Sequence, residues 1–275
     1  MIENISETEL LPFLKWAGGK RWLSSRDDTL LAIPEYNRYI EPFLGSGAMF
    51  FKESPRKAIL NDLNQDLIVT YKALKEDWRK VYQVLKRYHK LHNKDFYYEI
   101  RASKPRTKFS IAAKFIYLNR TCFNGIYRVN LKGEFNVPIG TKTNVVLPTD
   151  DFNEISKLLN KAILKSGDFE PVINMAKEGD FLFVDPPYTV KHAYNGFVKY
   201  NEKLFSWEDQ VRLKEALVRA SDRGAFIMMT NAFHESIRKL YWGTGFSKAI
   251  VDRNSVVAAS PEDRGVYSEY LITNY

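Results

Sequence analysis

The residues whose types and spacing suit chemistry begin with Asp185-Pro186-Pro187-Tyr188. They follow an apolar run, Phe181-Leu182-Phe183-Val184, that reads as a buried strand. In open α/β sheets ligands bind beyond the carboxyl ends of the strands, so the acid stands where a substrate would be. Two successive prolines fix φ and remove two backbone donors, while their carbonyls remain acceptors. Asp185 adds a carboxylate and Tyr188 an aromatic face. The set suits a planar group with an exocyclic amine: acceptors for the amine hydrogens and a ring for the base to stack on. The same residues also make an ordinary surface turn, since Asp-Pro and Pro-Pro are turn dipeptides.

Three more segments carry chemistry. In Glu41-Pro42-Phe43-Leu44-Gly45-Ser46-Gly47 the glycines let a ligand approach the backbone at a helix start. The full dinucleotide pattern is absent, because Phe50 stands where a third glycine would be. Asp62, closing the next strand, could accept from ribose hydroxyls. The pair points to a nucleoside-containing cofactor with little emphasis on phosphate; a plain βαβ turn with an acidic cap is the other reading. In Phe13-Leu14-Lys15-Trp16-Ala17-Gly18-Gly19-Lys20, Lys20 and the glycine amides could hold a small anionic group, and Trp16 could cover a cation. A capped first helix with Trp16 in the core fits the same residues. The last segment is Asn119-Arg120-Thr121-Cys122-Phe123-Asn124-Gly125-Ile126-Tyr127-Arg128, followed by Gly133-Glu134-Phe135-Asn136-Val137-Pro138. Arg128 could bind guanine bidentately, Asn124 suits a phosphate or base edge, and Phe123 could wedge between bases. A hairpin with an Asn-Gly turn is the bland alternative.

Strand-like and helical runs alternate, which predicts an α/β sheet. Tyr39–Phe43, Lys57–Asp62, Ala162–Ser166, Asp180–Asp185, Ala225–Thr230 and Tyr267–Tyr275 read as strands. Ala48–Phe51 starts a helix, and Asp66–Leu74, Trp78–His92 and Ile111–Asn119 read as helices. Residues 75–165 carry much of the basic and aromatic character, and Arg120–Thr143 reads as loops and a hairpin. A basic insertion therefore interrupts the sheet.

The chain has 275 residues, 41 Lys+Arg and 33 Asp+Glu, a net charge of +8. Such a chain can bury most of its unfolded surface without disulfide or metal. Its 45 % hydrophobic content fits a globular protein and not a disordered one. The basic excess favours an acidic partner. No apolar run spans a bilayer, and the acidic start lacks a secretory h-region. The lone Cys122 excludes an internal disulfide framework and points to a reducing compartment. His89 and His92 share a helix face among lysines, with no acid or cysteine nearby, so no metal site is expected there.

The four segments, in this order, resemble the Dam-type (class α) DNA adenine-N6 methyltransferases, from Phe13 to Tyr275. The resemblance implies a Rossmann-like, S-adenosylmethionine-dependent methyltransferase sheet with an inserted, mainly helical DNA-recognition domain. Residues 1–74 and 162–275 would form the catalytic domain and 75–161 the insertion. Trp16, Ala17 and Lys20 match the first cofactor motif. Phe43, Gly45 and Gly47 match the loop around the methionine part of the cofactor, and Asp62 the ribose acid. Asp168 and Phe169 match positions beside the cofactor's adenine, and Asp185 to Tyr188 the catalytic tetrapeptide, with Asp185 also beside the cofactor. On the DNA side, Lys15 and Arg128 match guanine readers in GATC-specific members and Phe123 an inserting aromatic. Asn124, Ile126 and Pro138 match further contacts, and Asn254 falls near a C-terminal loop that approaches DNA. Lys142 stands where GATC-reading relatives often carry an aromatic, so the site is expected to be GATC or a longer GAT-containing one.

The implied partner is double-stranded DNA, with no metal and no membrane, and the enzyme would be a monomer in the cytoplasm of a bacterial or phage-infected cell, on the nucleoid. Two rivals use the same residues: an N4-cytosine methyltransferase, against which Asp185 argues because that class more often has Ser before Pro-Pro-Tyr, and a DNA-binding relative without catalysis. An RNA or protein-amide methyltransferase is a third, opposed by the Arg128 segment.

Overall fold

A computed structural model describes residues 10–25, 31–130, 133–190, 205–254 and 266–275. In chain order the elements are α1 (Arg21–Ser24), β1 (Tyr39–Glu41), α2 (Ala48–Glu53), β2 (Ala58–Asp62), α3 (Gln65–Leu91), α4 (Lys94–Ala102), α5 (Lys108–Thr121), α6 (Phe152–Asn160), β3 (Ala162–Ser166), α7 (Glu170–Ile173), β4 (Phe181–Val184), α8 (Trp207–Asp222), β5 (Phe226–Ala232), α9 (Glu235–Leu240), β6 (Ser247–Asn254) and β7 (Val266–Thr273). They form two compact units. One takes in the described residues of Met1–Ser25 with Gly45–Pro55 and Asp66–Lys161; the other takes in those of Arg26–Leu44, Arg56–Gln65 and Ala162–Tyr275.

The seven strands among the described residues all lie in the second unit, in the order β3-β2-β1-β4-β5-β7-β6. The first five are parallel, and β7 runs antiparallel between β5 and β6. The chain winds outward from β1 through β2 to β3, then restarts at β4 and continues to β5. The strand order thus reverses between β1 and β4, and ligands of such sheets bind outside the carboxyl ends at that reversal. β1 and β4 are buried along their whole length, as expected of parallel strands covered on both faces. Helix α8 starts with a reciprocal capping box between Ser206 and Asp209. Its Leu213, Ala216, Leu217 and Ala220 share one apolar core with Ile40, Leu182 and Ile227 of the sheet. The α/β sheet expected from the sequence is present.

The first unit is mainly helical. The two helices predicted over 66–74 and 78–92 are the two halves of α3, separated by a break at Asp77, whose backbone leaves the helical region (φ −156°, ψ 85°). The Asp77 carboxylate accepts from the Arg79 N–H at 3.2 Å and so caps the second half. Helix α5 has a Thr107–Ser110 capping box and is buried from Phe115 to Thr121. Arg120 is enclosed with it: its guanidinium donates to Asp150 at 2.6 Å, to the Phe13 carbonyl at 3.0 Å and to the Val145 carbonyl at 2.7 Å. Phe13 packs edge-on against Phe51, Tyr71 and Phe152. After α5 come a 3-10 turn over Phe123–Gly125 and two isolated bridges, Cys122 with Ile139 and Val129 with Phe135.

Candidate functional site

Val184 ends β4, so Asp185 is the first residue beyond the sheet at the strand reversal. Its Oδ1 accepts from Thr230 Oγ1 of β5 at 2.8 Å. Tyr188 donates from its hydroxyl to Glu269 Oε2 of β7 at 2.6 Å. Burial, then the negative charges of Asp185 and Glu269, hold the Tyr188 phenol well above its ordinary range. Pro186 is buried, while Asp185, Pro187 and Tyr188 are half-buried. This corner can therefore present a carboxylate and an aromatic face to a ligand.

The other carboxyl ends of the sheet add acids and aromatics. Asn61 of β2 ties the neighbouring turns together, donating to the carbonyls of Pro42 and Gly167, both at 3.0 Å. Phe43, half-buried after β1, stacks on Phe169 with centroids 5.3 Å apart. Asp62 ends β2 and accepts from the Asn64 N–H at 2.9 Å. Asp168, after β3, accepts from the Glu170 N–H and from Arg212 Nη2, both at 2.9 Å. Arg212 also pairs with Glu170 and Asp209 and lies 5.0 Å from the Phe169 ring centroid.

In the first unit Trp16 is neither capped in a helix nor sealed in the core. Its indole stacks on Tyr127 at 5.9 Å, and Tyr127 stacks in turn on Phe115 at 4.6 Å. Gly45 has φ +50°, and a Cβ there would meet Trp16 Cδ1 at 2.7 Å, so the indole lies on a bare α-carbon. Lys20 is buried and donates to the Gly18 carbonyl at 2.9 Å; Ala17 is exposed, and Gly47 precedes α2.

The residues expected to meet DNA, Asn254 apart, belong to this unit as well. The Asn119 side chain clamps the Lys15 backbone, accepting from its N–H at 2.9 Å and donating to its carbonyl at 2.8 Å. A Cβ on Gly125 would meet Lys15 Cδ at 2.5 Å. Partial burial and the nearby charge of Lys142 lower the pKa of the Lys15 ammonium. The Phe123 N–H donates to the Pro138 carbonyl at 2.9 Å, while the Phe123 ring is 54 % exposed. Asn124 has φ +56°, a region Asn tolerates better than most residues. Arg128 is exposed and donates from Nε to Asn136 Oδ1 at 3.1 Å; Ile126 is half-buried, and Pro138 and Lys142 are exposed. Asn254 is the last residue of β6, and residues 255–265 after it lie outside the described residues.

Sequence reasoning missed Thr230, Glu269, Arg212 and Tyr127. Only Glu269 left a signal, as a lone acid in an otherwise strand-like run. Cys122 is buried among backbone carbonyls, and burial pushes its thiol up to about 11, unlike an activated nucleophile. Among the described residues no cluster of three or more His, Cys, Asp or Glu could hold a metal, and no helix is long and apolar enough to cross a membrane.

The family described as D12 class N6 adenine-specific DNA methyltransferase matches residues 16–256. The type II methyltransferase M1.LlaDCHI of Lactococcus lactis subsp. cremoris is 36% identical, over 98% of this chain and 97% of its own. The type II methyltransferase M.MjaIII of Methanocaldococcus jannaschii is 35% identical, over 97% and 100%. The DNA N-6-adenine-methyltransferase of Escherichia phage P1 is 34% identical over 94% of this chain, though over only 34% of its own length. With the resemblance running through the Trp16, Gly45, Arg128 and Asp185 segments alike, the chain belongs to the D12 class of N6 adenine-specific DNA methyltransferases.

Proposed function

We propose that the protein transfers a methyl group from S-adenosylmethionine to N6 of adenine in double-stranded DNA, within GATC or a longer GAT-containing site. The observation that carries the reading is Asp185-Pro186-Pro187-Tyr188 beyond β4 at the strand reversal, with Asp185 and Tyr188 each held by a buried hydrogen-bond partner. The acceptors and ring faces around the sheet fit an adenosyl group: Asp62 accepting from ribose hydroxyls, Asp168 from an exocyclic amine, and the Phe169 region for a base face. Trp16, Ala17, Lys20, Phe43, Gly45 and Gly47 complete the cofactor set that the family resemblance implies. When bound, S-adenosylmethionine supplies an electrophilic methyl group on a cationic sulfur.

The target adenine is out of reach inside a duplex and must be flipped, at a cost of a few kcal/mol. The flipped base stacks on Tyr188. Asp185 and the Pro186 carbonyl accept its N6 hydrogens and turn the amine lone pair out of ring conjugation, toward the methyl group. The cofactor would supply the methyl group for the new N–C bond, its sulfur keeping the electron pair of the broken S–C bond. N6 then becomes acidic and gives its proton to Asp185, which passes it to water. Holding the amine in near-attack geometry removes several kcal/mol of the barrier.

Residues 75–161 supply most of the target recognition. Lys15 and Arg128 read guanine, Phe123 fills the space the base leaves, and Asn124, Ile126, Pro138, Lys142 and Asn254 add contacts. Lysines and arginines of the insertion give salt-dependent, sequence-blind affinity. The protein acts as a monomer on the nucleoid, in the cytoplasm.

The test is incubation with tritiated S-adenosylmethionine and unmethylated plasmid, followed by mapping of methylated positions. N6-methyladenine confined to one short GAT-containing motif is the expected result. Tight cofactor binding without label in DNA would sink the reading.

A further inference from the structure

Two prolines fix the main chain of the Asp185–Tyr188 segment, but they leave the side-chain torsions of Asp185 and Tyr188 open. Two buried side chains from adjacent strands close them. Thr230 of β5 is wholly buried and donates to Asp185 Oδ1 at 2.8 Å. Glu269 of β7 is 2 % exposed and accepts from the Tyr188 hydroxyl at 2.6 Å. In the antiparallel register Thr230 faces Leu271 and Ala232 faces Glu269, so Thr230 and Glu269 are diagonal neighbours on one face of the sheet. A carboxylate so deep costs far more than a Leu or Ile of similar size would. Packing alone gives no reason for an acid there, whereas the short bond to Tyr188 does.

We infer that Glu269 and Thr230 are positioning residues for the methyl-transfer reaction. Glu269 fixes the plane of the Tyr188 ring, and Thr230 fixes the rotamer of the Asp185 carboxylate. Neither touches the substrate. The inference rests on the proposed role of the tetrapeptide as the holder of the target amine. Displacing a positioned group by about 1 Å can cost about a hundredfold in rate, so the effect should fall on kcat and spare the KM for either substrate.

The experiment measures kcat, KM and melting temperature with S-adenosylmethionine and a GAT-containing duplex for the wild type, Glu269→Gln, Glu269→Leu, Thr230→Val, Tyr188→Phe and the Glu269→Leu/Tyr188→Phe double variant. Glu269→Leu should lower kcat about 10- to 100-fold at near-constant KM. Glu269→Gln, whose carbonyl still accepts from the phenol, should recover most of that loss. The double variant should be no slower than Tyr188→Phe, because Glu269 acts only through that hydroxyl. Wild-type kcat in Glu269→Leu, equal loss in the Gln and Leu variants, or multiplying losses in the double variant would each overturn the inference. If Glu269→Leu does not fold, Thr230→Val carries the test: a fall in kcat at constant KM supports it and an unchanged kcat overturns it. Failure of the wild type to methylate adenine is a separate result, since it removes the underlying reading.

Discussion

At Gly45 the backbone and a neighbour make the same demand. The positive φ suits a residue without Cβ, and the Trp16 indole occupies the place a Cβ would take, at 2.7 Å. Gly45→Ala should therefore destabilise the protein by about 1–3 kcal/mol, from backbone strain and overpacking together. Urea denaturation reads the loss, and tryptophan emission reads the shift of Trp16 from its Tyr127 stack. Arg120 makes a different demand. It is 5 % exposed, and its guanidinium meets a carboxylate whose side chain is 3 % exposed. Removing one partner of a buried pair strands the other charge, so Asp150→Ala should cost about 3–5 kcal/mol. The Phe13 and Val145 carbonyls, which also accept from Arg120, place the loss toward the lower end. An unfolding free energy from urea denaturation within about 0.5 kcal/mol of wild type, the usual surface range, would contradict this.

At the scale of elements, the turn after α5 concentrates the groups proposed to meet DNA. Arg128 is exposed and held by Asn136 across the bridged segment, so its fork is presented by a fixed frame. Arg128→Ala should cost about 1–3 kcal/mol of discrimination at one base pair and leave the protein's stability within 0.5 kcal/mol. Competition binding with duplexes altered one base pair at a time measures the first, and urea melts the second. Local patterning explains why some elements were readable. Ala162–Ser166 was read with the bounds that β3 has, and Ile111–Asn119 lies within α5, because a short apolar run and a helical period declare themselves. Helix α8 escaped notice although Ser206 and Asp209 spell a capping box before its apolar stripe. Strand β6, at the sheet edge, mixes Ser, Lys, Asp and Arg with its apolar residues, as edge strands do, and so hid its period. The acid, the prolines and the tyrosine beyond β4 were legible as a candidate site. Thr230, Glu269 and Tyr127 were not, because each acts through a partner at least 45 residues away in sequence or across a stack that no local pattern encodes.

For the whole molecule, both units bury phenols in ways that tie stability to alkaline pH. Tyr97 donates to the Val137 carbonyl at 3.0 Å, and the Tyr241 hydroxyl sits 3.4 Å from Met229 Sδ. Burial raises the pKa of Tyr97, Tyr117, Tyr188 and Tyr241, each by desolvating the phenolate. Cys122 behaves alike, its thiol raised by burial from 9.0 to about 11. A group whose pKa is higher in the folded chain binds more protons there than in the unfolded chain. Its contribution is complete below the unfolded value and is lost as pH rises through the folded one. Cys122 therefore starts to erode stability above pH 9, and the tyrosines join above their ordinary value of 10. Each fully shifted group takes away about 1.4 kcal/mol per pH unit inside its own window. Urea midpoints should be level from pH 7 to 9, fall gently to pH 10 and fall steeply beyond it. Cys122→Ala should flatten the stretch between pH 9 and 10, and Tyr241→Phe should ease only the slope above 10. A steep fall already below pH 9, or midpoints unchanged up to pH 11, would show that these groups do not govern the alkaline limb.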